Sequence, residues 1–307
     1  GLVSTPSVLA ATMGLETNQL DGYTVGKPHP SNLMLRWMHG IDFQYLPATS
    51  SDAQRTTVRS TQLSDMGNSN YILVGRILNS ALHNQPGYRD WAATPAIASR
   101  DRTLYVQSNG GMLHALNVSQ TLPNVKWPRE RWAFVPPNVL ANQRLTGLKF
   151  RLSVGSDKKQ KARWIDGPES VASFMTDGGI RTQNLWDGSN WQTYLFGSMG
   201  RGGAGLYALQ ITNPAAPQFL WAVENNIYTF NTPRPNKDMG TVHFWSALPT
   251  KTYQTYNSGG LGGSLSPSTR DYRRLGWNAP SPAIGTTLLG TTRTNVGILA
   301  AGMQYDL

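Results

Sequence analysis

Basic side chains crowd two stretches of this 307-residue chain, and tyrosines accompany the second stretch. Cations beside aromatic rings can bind sugars, stack on the bases of single-stranded nucleic acid or attract an anionic polymer. A solvated charged loop without a ligand would show the same composition. The candidate surface-binding residues are Lys158, Lys159, Lys161 and Arg163 in the first stretch, and Tyr253, Tyr256, Arg270, Tyr272, Arg273 and Arg274 in the second.

No pattern of residues indicates catalysis. The chain has no cysteine, which excludes thiol catalysis, disulfide bonds and Cys-based zinc sites. Asp166 and Glu169 are close in sequence, but the Gly-Pro turn between them favours a structural role. Four of the five histidines are too far apart in sequence to form a ligand-spaced cluster. We therefore predict no catalytic, cofactor-binding or metal-binding residue, and no enzymatic activity.

The glycine-rich stretch GRGGAG at 200–205 superficially resembles a phosphate-binding loop. It lacks the Lys-Ser/Thr pair that completes such a loop, and no helical pattern follows it. The apolar residues that follow continue as a strand instead. We therefore interpret the stretch as the loop of a β-hairpin.

A second hairpin is predicted at 104–117, LYVQSNGGMLHALN. Two apolar runs flank four turn-forming residues, Ser108 to Gly111. The second run carries apolar residues on both strand faces, which predicts a strand buried between layers. A buried imidazole needs a hydrogen-bond partner, so His114 is predicted to be a structural residue rather than a ligand.

The composition favours an all-β protein. Charged residues make up only 14% of the chain, against roughly 25% in soluble proteins, and the 31 glycines and 10 tryptophans suit tight turns and aromatic-packed sheets. No apolar run is long enough to predict a membrane span. The net charge of +10 invites an anionic partner, although a basic surface also aids solubility.

Internal repeats point to a more specific architecture. LHAL ends at Leu116, LYAL ends at Leu209, which is 93 residues later, and a weaker copy ends at Leu307. TPAIA at 94–98 similarly matches SPAIG at 281–285. The spacing is about twice the roughly 40–50 residues of a propeller blade. It therefore predicts a β-propeller with about six or seven blades.

Further elements complete this prediction. Between the repeats, additional strands are predicted at 131–136, 170–175, 218–223 and 243–248. The segment 136–148 has helix start signals and leucines at helical spacing, which predicts a short helical insert.

The domain organisation follows from the change in regularity along the chain. The first seventy or so residues are less regular than the rest. We predict an irregular N-terminal segment, 1–70, that packs on the propeller, and a propeller domain at 71–307.

Several segments together carry a family resemblance. They are RWMHG at 36–40, VGRILNSAL at 74–82, RTLYVQSNGGMLHA at 102–115, WIDG at 164–167, WQTYLFGSMGRGGAGLYALQITNP at 191–214, LW at 220–221 and DMG at 238–240. Over residues 35–250 or so, the chain resembles the PilC/PilY family of type IV pilus tip-associated proteins. This resemblance implies a quinoprotein-like β-propeller.

One departure from the family pattern concerns calcium. Family members often carry an aspartate-rich calcium loop, and its counterpart here, 286–303, holds no carboxylate. Calcium prefers several hard oxygen ligands, usually including Asp or Glu. We therefore expect the family calcium loop to be absent and no cofactor to be bound.

The resemblance implies a function as well as a fold. It implies a non-enzymatic, extracellular component of a type IV pilus, located at the cell surface or pilus tip, that helps pilus assembly by binding minor pilins and contributes to cell adhesion through host or surface ligands. Two alternatives remain open at this point. One is a quinone-dependent propeller enzyme, and the other is a free-standing propeller that binds a glycan or nucleic acid.

Overall fold

The structure, a computed structural model, divides the chain into two compact units. Unit 1 comprises Gly1–Asp65 and Val139–Phe174, and unit 2 comprises Met66–Asn138 and Met175–Leu307. The structure describes residues 41–45, 56–58, 63–64, 66–76, 80–119, 129–141, 152–154, 160–162, 175–226, 241–246, 253–256, 280–289 and 292–298.

Strands dominate the described residues. They are β1 (Ile41–Tyr45), β2 (Thr56–Val58), β3 (Tyr71–Val74), β4 (Thr103–Ser108), β5 (Met112–Asn117), β6 (Arg129–Phe134), β7 (Leu152–Val154), β8 (Gln160–Ala162), β9 (Ile180–Trp186), β10 (Trp191–Ser198), β11 (Gly205–Gln210), β12 (Gln218–Asn226), β13 (Thr241–Ser246), β14 (Tyr253–Tyr256), β15 (Ala283–Leu289) and β16 (Thr292–Ile298). Short helices are α1 (Tyr88–Ala93), α2 (Pro95–Ala98) and α3 (Pro137–Ala141), with single 3-10 turns at Ser80–Leu82 and Gly200–Gly202. The all-β prediction is confirmed.

Unit 1 contains one sheet of four short strands in the order β2-β1-β8-β7. Each neighbouring pair is antiparallel. The predicted domain boundary at residue 70 stays a prediction.

Unit 2 contains antiparallel sheets whose neighbours follow chain order. One sheet is β3-β4-β5-β6, which we call sheet A, and a six-stranded sheet runs from β9 to β14, which we call sheet B. β15 and β16 form a separate hairpin. Such meanders need only short connections, and they are the kind of sheet from which propeller blades are built.

The sequence repeat is a structural repeat. LHAL lies in β5 and LYAL lies in β11, and each is an inner strand of its sheet. The ladder to the following strand is interrupted between Ala115 and Leu116 in sheet A and between Ala208 and Leu209 in sheet B. A tryptophan on that following strand lies opposite the alanine in both sheets. The two copies therefore share their register irregularity as well as their sequence.

The interval between the two copies includes a segment of the other unit. Between β5 and β11 the chain runs through Val139–Phe174, which belongs to unit 1. The described residues thus show one sheet per copy, not two blades per 93-residue interval. The number of blades, about six or seven, stays a prediction, and the third copy at the chain end lies outside the described residues.

The second sequence repeat, TPAIA and SPAIG, has different secondary structure in its two copies. In the first copy Pro95 occupies the first turn of α2, where its missing N–H costs nothing. In the second copy the same letters enter β15, and Ala283 and Ile284 pair with β16. The local sequence tolerates both conformations, and the neighbouring strand decides between them.

Most other predicted elements are confirmed. Strands occur at β6, β12 and β13, and the predicted helix occurs as α3. Residues 170–174 and 142–148, where a strand and the rest of the helix were predicted, lie outside the described residues.

The core of unit 2 surrounds the repeat strands. Four successive residues of β5, Met112 to Ala115, are buried, which confirms the prediction of a strand covered on both faces. Gly111 closes the β4–β5 turn with φ of 84°, a left-handed conformation that favours glycine. In β10, Gly197 pairs with Tyr207 of β11, and the tyrosine ring covers the glycine.

This close approach predicts the effect of a methyl group at Gly197. A Cβ atom there would lie 2.2 Å from Cζ of Tyr207, whose ring is completely buried, so Gly197→Ala is expected to lower the free energy of unfolding by about 1–3 kcal/mol. Gly285→Ala in β15 is the matched control, because nothing lies within 4 Å of its Cβ position, and its effect should stay within about 0.5 kcal/mol. Urea denaturation followed by tryptophan fluorescence measures both, and equal stabilities would contradict the prediction.

Candidate functional site

The structure places only three of the ten predicted surface-binding residues. Lys161 lies in β8 of unit 1, opposite Gln44 and Ser153. Tyr253 and Tyr256 begin and end β14 of unit 2. The other seven lie outside the described residues: Lys158, Lys159, Arg163, Arg270, Tyr272, Arg273 and Arg274. A binding role for the whole set stays a prediction.

A buried glutamine joins the two sheets of unit 2. The Gln107 amide of β4 donates hydrogen bonds to the carbonyl oxygens of Gly178 and Ser198, each at 2.7 Å. Its Oε1 accepts a hydrogen bond from the Tyr207 hydroxyl at 2.5 Å. Burial raises the pKa of Tyr207, so the phenol keeps the proton that it donates. Both polar atoms of the Gln107 side chain are therefore satisfied, by three hydrogen bonds that reach sheet B and the residues beside it.

Arg100 forms a second link between these sheets. Its Nε and Nη2 atoms donate to the Gly75 carbonyl, at 3.1 and 2.8 Å, just after β3. Its Nη1 donates to Thr193 Oγ1 of β10 at 3.0 Å. Burial lowers the pKa of the guanidinium, and no carboxylate of the described residues lies within ion-pair distance of it. Neutral oxygens therefore hold this cation in place.

A polar relay ties together three strands of sheet A. The Ser108 hydroxyl lies 3.3 Å from His114 Nε2, and His114 Nδ1 lies 2.6 Å from Glu130 Oε1. Because an ionised carboxylate only accepts hydrogen bonds, Nδ1 carries the proton that it donates to Glu130. This confirms that His114 is buried and hydrogen-bonded.

The relay has the order of a nucleophile, a base and an acid, as in serine hydrolases. Its serine is completely buried, and the histidine is only 5% exposed. Each member lies on a different strand, β4, β5 or β6, so the relay binds the strands of one sheet to each other. The relay therefore stabilises the sheet, and its serine is closed to solvent.

The glycine-rich loop 200–205 is also part of the packing. Gly200 has φ of 56°, and a Cβ atom at Gly202 would lie 2.0 Å from the Met175 carbonyl oxygen. Arg201 Nε donates to Oδ2 of the buried Asp177 at 2.5 Å. The loop joins β10 to β11, which confirms the hairpin interpretation over the phosphate loop.

Sequence reasoning missed Gln107, Arg100 and Asp177. The signal available for Gln107 was a polar residue inside the apolar run LYVQS, which marks a buried group that needs partners. Arg100 and Asp177 lie in loops, where exposed charge is the usual expectation. Their burial depends on partners about a hundred residues away along the chain.

The described residues contain no group of three or more His, Asp or Glu side chains placed to hold a metal ion. The part of 286–303 that the structure describes forms the β15–β16 hairpin. None of the described helices has the length and apolar character needed to cross a bilayer.

The Gln107 link predicts coupled effects on stability. Gln107→Leu removes the partners of the Gly178 and Ser198 carbonyls and of the Tyr207 hydroxyl, so the free energy of unfolding should fall by about 1–3 kcal/mol. Tyr207→Phe should cost less, because the glutamine keeps both donor contacts. The double variant should lose less than the sum of the two by about 0.5–3 kcal/mol, since one contact is shared. Strict additivity in urea denaturation would contradict the direct contact.

Comparison with known proteins gives a consistent match. The PilY1 beta-propeller domain family matches residues 63–252, which include all of sheet A and most of sheet B. The type IV pilus biogenesis factor PilY1 of Pseudomonas aeruginosa strain UCBPP-PA14 is 27% identical over 238 residues, which cover 71% of this chain and 18% of that protein. The PilY1 of strain PAO1 is 30% identical over 216 residues, covering 68% and 16%.

A solved structure adds a weaker similarity. The crystal structure of the Pseudomonas aeruginosa PilY1 C-terminal domain is 19% identical, with a TM-score of 0.35, over 69% of this chain and 40% of that one. The chain thus spans less than a fifth of the length of its curated PilY1 relatives in Pseudomonas. The match over 63–252 confirms both the family resemblance and the propeller-like fold, and the chain belongs to the PilY1 beta-propeller domain family.

Proposed function

We propose that this chain is a non-enzymatic part of a type IV pilus biogenesis factor. The observation that carries the proposal is the family match over 63–252, together with relatives that are named type IV pilus biogenesis factors. We further propose that it acts outside the cell, at the pilus tip, where it binds minor pilins and promotes pilus assembly.

The packing of unit 2 supports a binding role. Gln107 and Arg100 fasten sheet A to sheet B through buried hydrogen bonds. A scaffold locked in this way presents its loops and edges without a large loss of conformational entropy when a partner binds. Such a scaffold suits a protein that organises other subunits.

The buried relay supports a non-enzymatic role. The best nucleophile-like arrangement among the described residues, Ser108 with His114 and Glu130, is shielded from solvent at its serine. A quinone-dependent activity remains the competing proposal. Absorbance of a quinone that copurifies with the protein would favour that competitor.

Minor-pilin binding is tested with purified proteins. The full chain, mixed with the soluble domains of minor pilins from the same genome, should elute with at least one of them in size-exclusion chromatography at physiological salt. An unrelated protein of similar net positive charge is the control, because it should remain separate. Deletion of the gene should reduce surface pili, and the wild-type gene should restore them. Normal piliation without the gene, together with no complex, would overturn the proposal.

Adhesion through the basic stretches is a second proposed activity. The net charge of +10 favours it, and single-stranded oligo(dT) serves as a simple anionic probe. Charge reversal of Arg270, Arg273 and Arg274 to Glu should weaken binding and flatten its salt dependence, with a decrease in log–log slope of about 0.7 for each lost phosphate contact. The matched control reverses three arginines that are exposed elsewhere: Arg89, Arg129 and Arg181.

The first basic stretch is tested in the same way, by reversal of Lys158, Lys159, Lys161 and Arg163. If the control triple weakens binding as much as either set, the interaction depends on net charge alone. That result would contradict a defined site. Strong binding to the anionic probe without any minor-pilin complex would favour the free-standing glycan or nucleic-acid binder.

A further inference from the structure

The first strand of sheet A has an exposed edge. β3 pairs with β4 on one side, and on its other side it has no partner strand among the described residues. Its sequence, YILV, contains none of the lysines or prolines that protect edge strands, and its ladder with β4 has no bulge. The backbone groups on this edge are therefore suited to pair with another strand.

Exposed apolar side chains concentrate at this edge. Tyr71 is 66% exposed and Leu73 is 55% exposed, and both lie on the same face of β3. Met66, a few residues before the strand, is 42% exposed. Exposed apolar side chains grouped in this way are typical of an interaction surface.

The strand is held rigidly from both ends. Before β3, the Asn70 side chain exchanges two hydrogen bonds with the backbone of Ile180, at 2.6 and 3.1 Å. After β3, the Gly75 carbonyl accepts two hydrogen bonds from Arg100. A strand fixed in this way loses little conformational entropy when another strand pairs with it.

Positive charge flanks the edge. Arg76 and Arg102 are exposed where β3 ends, and the Arg102 side chain lies against Gly75. Neither forms an ion pair with a carboxylate among the described residues. Arg201 lies beside Gly67, ahead of the strand, and is paired with Asp177. Acidic residues next to an incoming strand would complement Arg76 and Arg102.

We propose that β3 binds an extended polypeptide segment of a partner protein, which adds to sheet A as a further strand. Alternate side chains of that segment contact Tyr71 and Leu73, and a flanking carboxylate pairs with Arg76 or Arg102. The ligand class is an apolar, strand-forming segment with acidic residues at its ends. This inference depends on the edge itself and does not require the proposed pilus role.

The test uses a short fluorescent peptide of alternating Thr and Val with an Asp-Glu pair at each end. Fluorescence anisotropy should show saturable binding to the full chain, and hydrogen exchange should show new protection of the amides at 71–74. The double variant Tyr71→Lys/Leu73→Lys should weaken binding at least about tenfold, because charge on an edge strand blocks pairing. Arg76→Glu should weaken binding of the acidic peptide and improve binding of a peptide with Lys-Lys ends.

Val58→Lys is the matched control. Val58 is 65% exposed and lies on β2, an edge strand of the other unit, so its substitution should leave peptide binding unchanged. Thermal unfolding of each variant checks that the exposed substitutions preserve the fold.

Several results would overturn the proposal. One is an equal loss of binding in Val58→Lys, and another is equal binding of a peptide whose alternate backbone nitrogens are methylated. A third is equal affinity for acidic and basic peptide ends. Self-association of the chain that Tyr71→Lys/Leu73→Lys abolishes, without peptide binding, would assign the edge to a second copy instead.

Discussion

The packing of unit 2 depends on one side-chain amide. Gln107 contributes two donors and one acceptor, and all three are used between sheet A and sheet B. Each unmade hydrogen bond is costly at a buried site, so the amide fixes the positions of two backbone carbonyls and the Tyr207 hydroxyl at once. The position of the Tyr207 ring also requires a glycine at residue 197 of β10, because a Cβ atom there would collide with the ring. The Arg100 guanidinium strengthens the same boundary with contacts to neutral oxygens.

Burial of these polar groups limits which side chains can contact a substrate or a partner. Ser108, His114 and Asp177 have the chemistry for catalysis or ligand binding, but their hydrogen bonds are made to partners within the same unit. Reactive groups that are buried and satisfied stabilise a scaffold. Among the described residues, the outer edge of β3 has no partner strand, and Tyr71 and Leu73 on that strand are exposed.

Individual residues show how far sequence patterns reach. The hairpins around Gly111 and GRGGAG were predicted because turn residues and apolar alternation act locally. The LHAL and LYAL repeat was visible because equivalent strands face equivalent neighbours in the two sheets. The similarity of TPAIA and SPAIG was misleading because the two segments have different neighbours: Pro95 starts a helix, whereas Ala283 pairs with β16. The contacts of Gln107 with Tyr207 and of Arg100 with Thr193 were not predictable, because these partners lie 100 and 93 residues away along the chain with no motif that connects them.

The sequence by itself determined the all-β class, the two hairpins, the repeat, the structural role of His114 and the resemblance to the PilC/PilY family. These features follow from local propensity, side-chain periodicity and repeated spacing within the chain, which a linear pattern records. Only the tertiary structure decided that the interval between the repeats includes a segment of another unit, that Ser108 is closed to solvent and that β3 pairs on one side alone among the described strands. Burial and strand pairing depend on which distant segments meet, and that information exists only once the chain has folded.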